Sequence, residues 1–345
     1  MESTVIMSST RPLPSYPIEI EFPDLSQFAE GNIGIPYLYH FDSGVSGPHV
    51  MINSITHGNE VCGAIAVKEL LELGITPRRG KLTLAFANVD AYFQFDPTTP
   101  DSSRFVDQDL NRVWTKEILD NPALDSSEIR RARALRPIID DVDYLLDIHS
   151  MHERCAPLGV CGPLNKGLEF VKSQRVPEWI IRDEGHPEGC RMRDYADFGN
   201  PDSPKNALLI ECGQHWEAIS VEVARDSSAR FLLALNIIEQ SDLPQSWYQP
   251  IYCADQKVVQ VTEPIVAETM NFEFNDLYLG LELFKEQGSA IAVQDGRTIS
   301  TPYPNCVLVM PSLRQLRPGV TVVRLGQLQD STDKGNHESQ ERGIH

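Results

Sequence analysis

His57, Glu60 and His149 are the residues of this chain whose types and spacing best fit chemistry. The first two form a His-x-x-Glu pair in Thr56-His57-Gly58-Asn59-Glu60, and the third lies far downstream in Asp147-Ile148-His149-Ser150. Two imidazoles and one carboxylate are the ligand set of a catalytic zinc, which keeps a fourth position open for water or substrate. The chemistry to expect is hydrolysis. Gly58 is expected to let the loop turn sharply so that both side chains of the pair face one point, and His152 competes with His149 for the third place. The pair's spacing alone also fits a solvent-facing loop. Its position after an apolar strand and before a helical stretch is what favours a built site.

A second cluster, Asp107-Gln108-Asp109-Leu110-Asn111-Arg112, offers acid, amide and guanidinium within a short stretch, with Arg104 just before it. Arginine binds carboxylates through paired hydrogen bonds and asparagine adds a neutral donor, so this segment points to a carboxylate-bearing substrate. The bland alternative is a helix cap with a surface ion pair, which is worth little. Asp147 and His149 are two apart in an expected strand and so share a face. A carboxylate behind a ligating imidazole fixes its tautomer, a role open to Asp147 or Asp109.

The elements that must position these groups are read from periodicity. Between about 36 and 240, short apolar runs alternate with helical stretches, the pattern of βαβ units around a sheet covered on both faces. Strands are expected at 50–55, 81–88, 143–148 and 206–210, and helices at 61–73 with a Gly74 stop, at 126–139 and at 217–239. The segment 90–114 is long for a structureless connection, and such ordered loops are usually functional. His57, His149 and Glu211 are expected just beyond strand ends, where open α/β sheets bind their ligands. After Pro244 and Pro250 the texture changes to short β-branched runs between Pro and Gly turns, expected to form a small all-β module.

Composition narrows the class. The chain has 345 residues and a formal charge of −19 with no offsetting basic stripe, which argues against nucleic acid or an anionic membrane as partner. The opening 1–7 stretch lacks the basic start and apolar run of a signal peptide, and no run reaches membrane-spanning length, so a cytoplasmic location is expected. Seven cysteines without paired short spacing are expected to be reduced thiols. The polar, charged 329–345 stretch is expected to be a disordered tail.

His57-x-x-Glu60, Asp109-Leu110-Asn111-Arg112, Asp147-Ile148-His149 and Leu209-Ile210-Glu211-Cys212-Gly213, in this order, resemble the succinylglutamate desuccinylase/aspartoacylase family, relatives of the zinc carboxypeptidases. Tyr303-Pro304-Asn305-Cys306-Val307 and Leu316-Arg317-Pro318-Gly319 are similar to its closing β-module, so the likeness runs over roughly 36–328. It implies a zinc-carboxypeptidase-like mixed sheet flanked by helices in a hydrolase domain over 1–243, with a small C-terminal all-β domain over 244–328. It further implies one zinc per chain on His57, Glu60 and His149. Glu211 would be the general base and Arg104 the group that polarises the scissile carbonyl, while Asn111 and Arg112 would grip the substrate's carboxylate. Arg191 and Arg193 are both candidates for a further carboxylate-binding arginine, because the segment before Glu211 departs from the family's pattern. Tyr278 and Tyr303 are candidates for a substrate-contacting tyrosine. Family members commonly associate, so a homo-oligomer is possible.

Three functions fit this reading. The favoured one is a zinc-dependent deacylase acting on a small N-acyl amino acid that carries a carboxylate. A carboxypeptidase acting on short peptides would use the same metal and base. A relative that only binds an acidic metabolite would have no need of Glu211.

Overall fold

The computed structural model describes residues 12–248 and 255–329. The 1–7 stretch, Pro250, Cys253 and all of the expected tail except Gln329 lie outside the described residues.

The chain opens its sheet with β1 (Leu38–Asp42) and β2 (His49–Ser54), follows with α1 (Cys62–Glu72) and β3 (Lys81–Phe86), and then makes two single-turn helices, α2 (Val89–Tyr92) and α3 (Lys116–Leu119). Next come α4 (Ser127–Ile139), β4 (Tyr144–Met151), β5 (Leu158–Val160), α5 (Asn165–Gln174), β6 (Trp179–Arg182), β7 (Asn206–Gln214) and α6 (Ala218–Ala234). The C-terminal part is all strand: β8 (Lys257–Val266), β9 (Phe272–Phe274), β10 (Leu283–Phe284), β11 (Ala290–Gln294), β12 (Arg297–Ser300), β13 (Cys306–Val309) and β14 (Thr321–Leu328).

At the centre β2, β4 and β7 run parallel, and both faces of each are buried, which is why they read as continuous apolar runs rather than alternating ones. Alternation still sorts the side chains. Val50, Ile52, Leu146, Ile148, Leu208 and Ile210 pack in one core with α1, α5 and α6, while Met51, Leu145 and Ala207 pack in another against α4. Asn53, Asp147, His149 and Glu211 share the parity of the second set, so the chemistry-bearing residues leave the sheet on the α4 side.

Local sequence accounts for the ends of the helices. Helix α1 stops where expected: Gly74 takes φ +68 and its N–H donates to the Leu71 carbonyl while Ile75 N reaches Leu70 O, a left-handed close that glycine adopts without strain. Helix α4 starts at Ser126, whose hydroxyl accepts from Ile129 N at 3.0 Å. Helix α6 covers less than the expected 217–239.

One expectation is corrected. Strands β4 and β7 run three and four residues past their expected ends, to Met151 and Gln214, so His149 and Glu211 lie inside strands rather than beyond them. The reason is pairing: His149 is opposite Glu211 in the parallel β4–β7 ladder, and β5 pairs antiparallel with β7 at the same level, Leu158 opposite Glu211. The C-terminal part is all β, as expected, and its strands divide between two sheets. Strands β9, β11 and β12 make a separate three-stranded sheet, but β8, β14, β13 and β10 continue the main sheet, because β8 adds in parallel to β6 and covers what would be an exposed edge. The large sheet has eleven strands, and its last portion stands beside the cleft at the ends of β4 and β7. Among the described residues no helix is long and apolar enough to cross a membrane.

Candidate active site

The loop leaving β2 is held in an unusual backbone conformation. Ile55 takes φ +46, a rare state for a β-branched residue and one that clusters at functional sites. Gly58 is required, though not for the turn expected of it. Its φ lies outside the left-handed region, and the constraint is space: a Cβ there would sit 2.4 Å from Ala91 C and from Ser103 O. The loop is pressed against the 90–104 segment, and this places His57 and Glu60.

Both imidazoles turn Nδ1 toward the same carboxylate. His57 Nδ1 is 2.7 Å from Glu60 Oε1, and His149 Nδ1 is 2.8 Å from Glu60 Oε2, with all three residues buried. Their ligand atoms lie within 4.8 Å of one another, and among the described residues no other group of His, Cys, Asp or Glu meets that condition. The opposite ring nitrogens are pinned from behind. His57 Nε2 is 2.9 Å from Asp109 Oδ1 and His149 Nε2 is 2.8 Å from Asp147 Oδ2, while Asp147 Oδ1 accepts from Asn53 and Thr56. Carboxylates on the outer nitrogens fix the tautomer that leaves Nδ1 free to bind a metal, so the residues present fit a divalent cation. His152 is not part of this set; it faces His215 at 3.3 Å and Asp101 at 3.4 Å.

The electrostatics are those of a site built for added positive charge. Burial opposes ionisation of Glu60 and Asp109, yet the neighbouring imidazoles, and for Asp109 also Arg112 and Arg104, hold both carboxyls well below the usual range. Burial likewise opposes charging of His149, but Asp147 and Glu60 outweigh it and raise its pKa well above that of a free imidazole. Glu211 goes the other way. Burial, then the charge of Glu60, push its carboxyl up to about 8 against the pull of His149 and Arg104. Among the described residues its Oε2 has no hydrogen-bond partner.

The site opens into a cleft of about 610 Å³. Arg104 lines it and donates to Asp109 Oδ2 at 3.0 Å and to Glu60 Oε1 at 3.3 Å. Asn111 accepts from Met192 N at 2.8 Å and places its amide nitrogen 3.5 Å from His149 Nε2, while Arg112 lines the cleft with Nη1 on the Asn111 carbonyl. Arg191 reaches the cleft but is tied to Asp183 and Asp194. Arg193 is not among its lining residues; it is buried and donates to the Cys161 and Ala207 carbonyls, bracing loops behind the wall. Tyr278 and Tyr303 do not line the cleft either: Tyr278 meets Phe274 and Phe284 edge-to-face, and Tyr303 bonds Thr262 at 2.5 Å.

Two residues of consequence escaped the sequence reading. Glu128, fully buried at the start of α4, accepts from the N–H groups of Val106, Asp107 and Gln108 at 2.7, 3.1 and 3.2 Å and so clamps the loop that carries Arg104 and Arg112. Arg324 on β14 lines the cleft from the C-terminal strands. The available signal was slight: a charged residue between Val323 and Leu325 in an otherwise apolar run.

Residues 46–220 match the catalytic-domain model of the succinylglutamate desuccinylase/aspartoacylase family. The chain belongs to that family. It is 26% identical over 184 residues to the N-acyl-aromatic-L-amino acid amidohydrolase (carboxylate-forming) of Mus musculus, and 32% identical over 109 residues to the corresponding A form of Danio rerio. These matches cover 49% and 28% of this chain but only 54% and 30% of the relatives' lengths. The fold is shared more widely. The succinylglutamate desuccinylase of Vibrio cholerae superposes with a TM-score of 0.62 at 16% identity, covering 85% of this chain and 86% of that one. The ectoine utilization protein EutE (DoeB) of Ruegeria pomeroyi gives 0.57 at 15%, covering 86% and 89%.

Proposed function

We propose that this protein is a zinc-dependent amidohydrolase that removes the acyl group from a small N-acyl amino acid, with one zinc held by His57, Glu60 and His149. The observation that carries the reading is Glu211: a buried carboxylate with one oxygen unpartnered among the described residues, in register beside His149 and lining the cleft. Neither a structural metal site nor a binding protein has a use for such a group, whereas a hydrolase needs a base there. The family and the amidohydrolase activity named for its mouse and zebrafish relatives support the same class of reaction.

A zinc ion, when bound, supplies positive charge that acidifies water and polarises an amide carbonyl. The remaining work belongs to the chain. Glu211, its carboxyl pushed up to about 8 by burial so that it holds a proton well, takes a proton from water and hands it to the departing amine. Arg104 holds the carbonyl oxygen as it gains charge, an interaction stronger in the transition state than in the ground state. Arg112, with Asn111 beside it, holds the substrate's carboxylate, and Asp109 and Asp147 keep the two imidazoles oriented. Unpaired thiols in Cys62, Cys161 and Cys212 accord with a reducing, cytoplasmic setting.

The test is metal analysis of the purified protein joined to a screen of N-acyl aspartates, glutamates, arginines and diaminobutyrates, with dipeptides alongside. One zinc per chain and cleavage of at least one N-acyl amino acid, abolished by chelation and restored by zinc, is the expected result. Full activity after exhaustive chelation would overturn the metal, and cleavage of dipeptides alone would overturn the substrate class.

A further inference from the structure

Beside His149 runs a line of polar side chains that the reaction above does not use. Ser150 Oγ is 2.8 Å from His215 Nδ1, His215 Nε2 is 3.3 Å from His152 Nδ1, and that same His152 nitrogen is 3.4 Å from Asp101 Oδ1. The line exists because β7 is bulged. His149 is opposite Glu211 and Met151 is opposite Gln214, so three steps along β7 match two along β4, with Gly213 at φ +108. The bulge brings His215 against β4, where its N–H donates to the Met151 carbonyl at 2.9 Å and its ring meets the Ser150 hydroxyl. His215 is fully buried, whereas Ser150 and His152 line the cleft.

Asp101 decides which way these hydrogen bonds run. Burial opposes its ionisation, yet His152 and Arg314 hold its carboxyl below the usual range, with Arg314 Nη1 3.5 Å from Oδ2. Its Oδ1 makes no hydrogen bond among the described residues but lies close to His152 Nδ1. A carboxylate oxygen repels a bare imidazole lone pair and attracts an N–H, so His152 Nδ1 carries a proton whether the ring is neutral or charged. That proton points to His215 Nε2, which must then be the accepting nitrogen. Burial, with His152 beside it, drives the His215 pKa far below the imidazole range, so the ring is neutral and its one proton sits on Nδ1. His215 therefore donates to Ser150 Oγ.

The hydroxyl proton of Ser150 is left over. Among the described residues Oγ has no hydrogen-bond partner other than His215, and a buried donor without an acceptor is costly. The cleft that Ser150 lines is where an acceptor can arrive. Ser150 also flanks Glu60: its backbone N–H donates to Oε2 at 3.2 Å, while Arg104 donates to Oε1 at 3.3 Å. The two residues thus stand at the two oxygens of one carboxylate.

Resting on the amidohydrolase reading, we propose that Ser150 is a further catalytic residue whose hydroxyl donates to the scissile carbonyl oxygen as that oxygen gains charge, and that His215, His152 and Asp101 are positioning residues that turn its proton toward the cleft. Arg104 then shares the carbonyl oxygen with a neutral donor.

The direction of the hydroxyl is read without turnover, from long-range proton–nitrogen NMR spectra of the full zinc-loaded chain carrying isotope-labelled histidine, with His215→Gln supplying the assignment. A proton on His215 Nδ1 is expected in the wild type, and a mixture of the two tautomers in Asp101→Asn. A proton on His215 Nε2 in the wild type overturns the proposal, and an Asp101→Asn spectrum identical to it overturns the role of Asp101. Turnover is then measured on the N-acyl amino acid found in the screen above. Ser150→Ala keeps the backbone N–H on Glu60, so zinc content should be unchanged while kcat falls by about a hundredfold with little change in KM. Ser150→Thr, which retains a hydroxyl, should recover part of the loss. Asp101→Asn should lower kcat by about threefold or more in the native background and far less in Ser150→Ala, a non-additivity that a merely structural role would not produce. An unchanged kcat in Ser150→Ala, a loss carried by KM alone, or equal effects of Asp101→Asn in the two backgrounds overturns the proposal. Should the loaded wild type cleave no N-acyl amino acid, the amidohydrolase reading fails and the carbonyl role with it, and the nitrogen spectra alone decide whether Ser150 presents a donor.

Discussion

His149 and Glu211 are partners in the same parallel ladder, side by side on β4 and β7, yet their acid–base properties are driven in opposite directions. Asp147 and Glu60 press a proton onto His149, whereas burial and Glu60 keep one on Glu211 until the pH approaches about 8. In the proposed reaction the first would exchange its proton for a cation and the second would accept a proton during turnover.

Glu211→Gln should lower kcat by about 100- to 10,000-fold, the usual contribution of a general base, with zinc content unchanged. It should also remove the acid limb of the pH profile, because activity in the native enzyme rises as Glu211 loses its proton. A linked effect concerns stability of the metal-free protein. The folded carboxyl has a raised pKa, so the unfolded chain releases its proton first, and folding is progressively penalised from the ordinary glutamate value up to about 8. The variant escapes this penalty, and its thermal midpoint should exceed that of the native protein more at pH 8 than at pH 5. Equal differences at the two pH values in a calorimetric scan would contradict the assignment.

Asp147→Asn removes the charge behind His149 while preserving shape. Zinc affinity should fall by about 10- to 100-fold, as measured by competition with a chromophoric chelator. In the native protein, zinc affinity should rise with pH, since the cation and the proton compete for His149 Nδ1. A pH-independent affinity would show that His149 is not a ligand.

Arg104→Ala and Arg112→Ala should separate in steady-state kinetics. Loss of Arg104 is expected to reduce kcat by about a hundredfold or more, as for removal of one oxyanion donor, with a smaller change in KM. Loss of Arg112 should raise KM strongly and leave zinc bound. Loss of zinc from the Arg112 variant would refute its role as a carboxylate ligand.

Glu128→Ala should act at a distance. Three backbone N–H groups of the 106–108 segment lose their acceptor, which is expected to cost about 1–3 kcal/mol for each donor that remains buried. Limited proteolysis should reveal new cleavage between 96 and 112, and kcat/KM should fall even though Glu128 does not line the cleft. An unchanged digestion pattern would show that the loop is held by other contacts.

The sequence by itself determined the alternation of strands and helices, the Gly74 and Ser126 boundaries of α1 and α4, and the three residues that meet as a candidate metal site, because each is written in local periodicity or in short motifs. Asp147 behind His149 was legible for the same reason, since two residues apart on a strand means one face. Gly58 was legible as a required glycine but not for its true cause, a neighbouring backbone brought to it from some thirty to forty-five residues downstream.

Tertiary structure alone decided the rest. Strand pairing carried β4 and β7 past their apparent ends and set His149 against Glu211. Chain crossings brought Glu128 under the loop of Arg104, and turned Arg193 into the wall while leaving Arg191 at the cleft. The continuation of the sheet through β8 delivered Arg324, more than a hundred residues beyond Glu211, to the wall of the same cleft. A residue's partners across the sheet depend on register and connection rather than on its neighbours in the chain, and an isolated Arg in an apolar strand acquires meaning only when the opposing wall is known.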